Sequence, residues 1–80
     1  MNIYVGNLSR DVTDDDLRKV FEAFGKVLSA IVIKDKFTGE ARGFGFVEMP
    51  NHNEAKIAMQ SLNNTVLKGR PMTINEARPK

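Results

Sequence analysis

The chain has 80 residues, 41% of them hydrophobic, and its 12 Lys and Arg against 10 Asp and Glu give a net charge of +2. That length holds one domain and not two, and the usage is that of a globular protein, not a disordered or fibrous one. Cysteine is absent, which excludes a disulfide scaffold, a thiol nucleophile, a CxxC redox pair and a cysteine-based zinc site.

In chain order, Ile3 to Val5 read as a short strand that stops at Gly6-Asn7. Thr13 then precedes three acids and a stripe of Leu17, Val20, Phe21 and Phe24 at i, i+3, i+4 and i+7. This predicts an amphipathic helix with Thr13 as N-cap, negative charge at its positive end and Gly25 as its stop. Val27 to Lys34 is apolar and β-branched, and predicts a buried strand. A Thr38-Gly39 turn leads to its hairpin partner, Arg42 to Met49, which Pro50 ends. Asn51 and Glu54 read as a capping box for a second helix, with Ala55, Ala58, Met59 and Leu62 on one face and Asn63-Asn64 closing it. A Lys68-Gly69-Arg70 turn leads to the last strand, Met72 to Glu76, and Pro79 and Lys80 are expected to form a loose tail. The order β-α-β-β-α-β predicts an α+β fold of ferredoxin-like type, a four-stranded antiparallel sheet with both helices on one face.

Strand alternation puts Gly43, Gly45, Val47 and Met49 on one face of the third strand, and Arg42, Phe44, Phe46 and Glu48 on the other. The first set suits an apolar floor beneath the helices. Inverting the strand would bury Arg42 and Glu48 unpaired, which costs far more than exposing two rings. Ile3 and Val5 likewise point inward and Tyr4 outward. A lone strand phenylalanine is usually core; here the neighbouring charges overturn that reading. Of six aromatic residues, Phe21 and Phe24 belong to the helix stripe and Phe37 to the hairpin loop. Tyr4, Phe44 and Phe46 share the open face. Aromatic rings flanked by cations suit unstacked nucleotide bases, and stacking contributes roughly 1–3 kcal/mol per base.

Arg42-Gly43-Phe44-Gly45-Phe46-Val47-Glu48-Met49 resembles the RNP1 octamer of the RNA recognition motif family, and Ile3-Tyr4-Val5-Gly6-Asn7-Leu8 resembles its RNP2 hexamer. The resemblance implies a single RNA-binding domain over residues 1–78. It implies that Tyr4 stacks one base and Phe46 the next, that Phe44 packs between two sugars, and that Arg42 pairs with a phosphate. Asn75 and Ala77 would offer polar and backbone groups to base edges, and Arg78 would add charge. Met49 stands where the pattern has Phe or Tyr; facing the helices, it should alter core packing and leave the RNA face alone. The family's register sends Ala30 and Val32 inward and leaves Ile31 and Ile33 on the sheet face, to contact bases or a protein.

Lys34, Lys36, Arg42, Lys68, Arg70, Arg78 and Lys80 are expected around the sheet face, the hairpin loop and the C-terminal end. The acids Asp14, Asp15, Asp16, Glu22 and Glu54 lie on the helices, a segregation that suits RNA. Phe37 either closes over RNA or tucks against the sheet, and His52 reads as a surface residue. The loop Gly6-Asn7-Leu8-Ser9-Arg10-Asp11 is too poor in glycine for an acylphosphatase phosphate cradle. Gly43-x-Gly45 lacks the third glycine and the following helix of a dinucleotide site, and one histidine supports no Ser/His/Asp set. The expectation is a monomeric, non-enzymatic protein with no cofactor. Its partner is single-stranded RNA, with single-stranded DNA the alternative that stacking also tolerates. A role in post-transcriptional RNA handling or as an RNA chaperone is what bacterial and plant look-alikes imply. The longest apolar run, Ala30 to Ile33, is too short for a membrane span, and no signal peptide is visible, so the expected location is the cytoplasm.

Overall fold

In a computed structural model that describes residues 1–77, the elements follow the predicted order with one addition. They are β1 (Asn2–Gly6), α1 (Asp14–Glu22), β2 (Ser29–Lys34), β3 (Ala41–Glu48), α2 (His52–Leu62), β4 (Val66–Leu67), β5 (Arg70–Pro71) and β6 (Thr73–Ala77). Arg78, Pro79 and Lys80, with the charge and the tail expected there, lie outside the described residues.

The main sheet is antiparallel in the order β2-β3-β1-β6. Its inner face supplies Ile3, Val5, Val32, Val47 and Ile74 to a core completed by Leu17, Phe21, Ala55, Ala58 and Leu62 from the helices. Met49 is fully buried there, so its departure from the family pattern is taken up in the core. No side chain of the core is charged or polar, and no buried side-chain polar atom lacks a partner among the described residues. Among those residues no helix is long and apolar enough to cross a membrane.

Thr13 caps α1 as expected. Its Oγ1 accepts from the Asp16 N–H at 3.1 Å, and Asp16 Oδ2 accepts from the Thr13 N–H at 3.0 Å. Gly25 does not end this helix. The helix stops at Glu22 with Ala23 as C-cap, and a side chain at Gly25 would collide with Glu54. Asn51 caps α2 through the Glu54 N–H at 3.0 Å, but the reciprocal half of the expected capping box is absent. Glu54 Oε1 turns instead to the Lys26 N–H at 3.4 Å, so it ties the start of α2 to the segment after α1. Asn64 takes the left-handed conformation after α2, with φ 68°.

The addition is the two-residue ribbon β4–β5, closed by Lys68 (φ 50°) and Gly69 (φ 91°). The left-handed φ at both central positions is what a tight hairpin of the type I′ kind requires. At the other edge, Asp14 Oδ1 accepts from the Val32 N–H at 2.7 Å. This satisfies a donor on edge strand β2 that would otherwise invite another strand.

Strict alternation fails at one point in β3. Val32 pairs with Gly45 and Lys34 with Ala41, so two steps on β2 face four on β3. Gly43 absorbs the bulge at φ +87°, and its carbonyl accepts from the Leu8 N–H at 2.8 Å. Gly45 has a different reason: a Cβ there would run into the Ile31 carbonyl of the neighbouring strand. Gly43 therefore serves a bulge, while Gly45, buried between Val5 and Val32 on the inner face as expected, also permits the close approach of β2.

Candidate nucleic-acid interface

The register across the sheet sets Ile31, Phe46, Tyr4 and Asn75 in one row, strand by strand. Residues opposite one another across strands project to the same face, so this row is the middle of the open side. The next row toward the chain termini holds Ser29, Glu48, Asn2 and Ala77. Ala77, expected just past the last strand, is still paired within it.

Tyr4, Phe44 and Phe46 form a nearly equilateral triangle. Ring centroids are 6.0 Å apart for Tyr4–Phe44, 5.9 Å for Tyr4–Phe46 and 6.1 Å for Phe44–Phe46. Two of the three contacts are edge-on, at 63° and 87°, the arrangement that the ring quadrupoles favour. Each ring thus shields its neighbours' edges and keeps area free for a ligand: Phe46 is 37% exposed, and Tyr4 and Phe44 are half-buried. Alternation predicted which rings face outward, and the register shows that they meet. Gly6 fixes how Tyr4 lies. A Cβ at Gly6 would approach the Tyr4 hydroxyl oxygen to 2.6 Å, so the ring leans along β1 over the missing side chain. The sequence carried this signal only as a strand-ending glycine.

Ile31 is 49% exposed beside Phe46, and Ile33 is half-buried, which extends the aromatic surface with aliphatic area on β2. Phe37 is 97% exposed at the hairpin tip, so it does not tuck against the sheet. Its loop is held by Asp35, whose Oδ1 accepts from the N–H groups of Phe37 at 2.8 Å and Thr38 at 3.1 Å. Those two hydrogen bonds, in that order, and more weakly the Arg42 charge, hold the Asp35 carboxyl below its ordinary value.

The cations divide. Arg42 is exposed at the start of β3 and lines a recess at the end of the sheet together with Arg10 and Arg70. Lys34 lines a different recess with Asp14, Asp15 and Glu40, which none of the three platform rings borders. Lys68, expected near the sheet face, is turned to the helix side: its Nζ lies 2.8 Å from Asp16 Oδ2 and donates to the Asp11 carbonyl at 3.1 Å. Among the described residues no three His, Asp or Glu side chains gather as a metal site.

Similarity to known proteins covers the whole fold. The family profile described as the RNA recognition motif matches residues 3–73. RbpE of Nostoc sp. is 48% identical over 80 residues, which is 100% of this chain and 81% of that protein. Among solved structures, the RNA-binding protein PG1 superposes with a TM-score of 0.94 at 46% identity, over 100% of this chain and 99% of that one. A Sex-lethal protein–RNA complex superposes with a TM-score of 0.88 at 37% identity, over 95% of this chain and 47% of that one.

Proposed function

The chain belongs to the RNA recognition motif family, and from that premise we propose that it binds single-stranded RNA on the open face of its sheet. The observation that carries this reading is the triangle of Tyr4, Phe44 and Phe46, with centroids 5.9–6.1 Å apart on a face that the helices leave open. Tyr4 and Phe46 each stack one base. Phe44, between them and the Arg42 end, packs against sugars. Arg42 neutralises a phosphate, and Asn75 and Ala77 present polar and backbone groups to base edges from the same rows. Ile31 and Ile33 add apolar contact on β2, Lys34 adds charge at longer range, and Arg78, outside the described residues, adds charge as the family resemblance implies.

Two or three stacked bases and a few phosphate contacts correspond to roughly micromolar affinity, since nanomolar binding requires about −12 kcal/mol. The module acts as a monomer, does no catalysis and uses no cofactor; its role is RNA handling after transcription, including the chaperoning of RNA structure. Stacking accepts single-stranded DNA as well, and only contacts to the 2′-hydroxyl make RNA preferred. The test is an amide-shift titration with short randomised RNA and with matching DNA. Shifts concentrated on Tyr4, Phe44, Phe46 and β6 are expected, larger with RNA. No shift on that face would refute the reading and turn attention to a protein partner.

A further inference from the structure

We propose that the recess lined by Arg10, Arg42 and Arg70 is a phosphate-binding pocket that extends the interface past the aromatic rings. It rests on the RNA-binding reading but adds Arg10 and Arg70, which that reading does not use.

Three separate segments bring the arginines together: the loop after β1, the start of β3, and β5. The recess has a volume of about 400 Å³ and is also lined by Asn7 and Gly43. Among the described residues that line it, none is acidic. Among those residues, too, no ion pair engages any of the three guanidinium groups. Arg10 also borders the neighbouring recess with Asp14, Asp15 and Glu40, and the Arg42 charge reaches Asp35. An anion entering this recess nevertheless meets three guanidinium groups and no carboxylate in its lining, so their mutual repulsion favours its entry.

Arg70 is held ready for such an anion by a neutral group. Asn7, in a left-handed conformation at φ 55°, accepts from Arg70 Nη2 through its Oδ1 at 2.6 Å. Its Nδ2 donates to the Pro71 carbonyl at 2.7 Å. This uses one of the five guanidinium N–H donors and quenches none of the charge. Lys68, across the same tight turn, shows the contrast: its charge is matched by Asp16 at 2.8 Å. One cation of the ribbon is neutralised and the other is oriented and left positive. A planar guanidinium fork suits phosphate oxygens better than an ammonium does. Gly43, at φ +87°, keeps the wall of the recess free of a side chain beside Arg42.

The phosphate group belongs to the bound strand, either as an internal diester or as a terminal monoester. The full chain is titrated with inorganic phosphate against sodium chloride at matched ionic strength, following the amides of Asn7, Arg10, Gly43 and Arg70. Saturable shifts with phosphate and not with chloride are expected. An abasic ribose-phosphate strand and a nucleoside monophosphate then assign the source. Saturation by the first means internal diesters and by the second a chain end, and either supports the pocket. Arg70→Gln, and separately Arg10→Gln, which disturbs no hydrogen bond among the described residues, are expected to weaken RNA binding by up to about fivefold. Each should also lower the slope of log K against log salt by about 0.7. Equal, unsaturable responses to phosphate and chloride, with unchanged salt slopes in both variants, would overturn the pocket. If phosphate saturates these amides while base-bearing RNA leaves Tyr4, Phe44 and Phe46 silent, the pocket stands and the stacking reading fails.

Discussion

Phe46 and Gly45 are adjacent in sequence, the first in the proposed stacking surface and the second in the fold. Phe46 projects from β3 into solvent at 37% exposure, so Phe46→Ala removes a stacking surface and little core. Binding to short RNA is expected to weaken by roughly 1–3 kcal/mol, with a melting temperature close to that of the parent; a large thermal loss would mean the ring supports the fold. Gly45 is buried, and the next strand's Ile31 carbonyl occupies the space its Cβ would need. Gly45→Ala must therefore push β2 away from β3, at a cost of roughly 1–3 kcal/mol. Chemical denaturation should show that loss whether or not RNA is present. Alternation alone made Phe46 legible as an outward ring. It could not show what Gly45 faces, because that depends on how closely two strands approach.

At the scale of elements, the ribbon β4–β5 is tied to α1 through Lys68 and Asp16. The Lys68 side-chain hydrogen bond, followed by the Thr13 N–H, lowers the Asp16 carboxyl from 3.8 to about 2. With its folded value depressed, Asp16 binds fewer protons in the folded chain than in the unfolded one, so acid favours unfolding. Its contribution is complete above 3.8 and is lost as the pH falls to about 2. Thermal melts between about pH 5 and pH 2 should show this decline, and Asp16→Asn should flatten it; an equally steep decline in the variant would assign the acid sensitivity elsewhere. Helices and long strands were legible because apolar spacing and capping residues announce them. The ribbon was not, because two-residue strands have no periodicity and rest on the left-handed φ values of Lys68 and Gly69. The bulge at Gly43 escaped for a related reason: a period of two within one strand cannot register that it carries two more residues than its partner. Arg70 and Asn7 lie 63 residues apart, a distance over which local pattern carries no information.

For the molecule as a whole, charge placement matters more than its small sum. A net +2 gives little long-range attraction, so RNA affinity should fall gently with salt, with a slope corresponding to a few phosphates. A slope implying eight or more, at about 0.7 per phosphate, would contradict an interface of this extent. The acids that face away from the platform, Asp14 and Asp16 among them, are engaged in holding β2 and the ribbon. They contribute to the fold.

The spacing of the platform also constrains its ligand. Tyr4 and Phe46 stand on neighbouring strands with centroids 5.9 Å apart and planes inclined at 63°. Successive bases in an ordered strand lie nearly parallel and about 3.4 Å apart. On the proposed stacking of one base on each ring, a strand cannot keep that order, so binding splays two bases apart. Affinity then reports on the ligand's own stiffness as much as on its sequence. Oligouridylate, which is weakly ordered, should bind more tightly than oligoadenylate in the cold, and the gap should narrow on warming as the adenines come apart. A sheet built this way draws on whatever is already loose, and in its presence short hairpin stems should open at lower temperature.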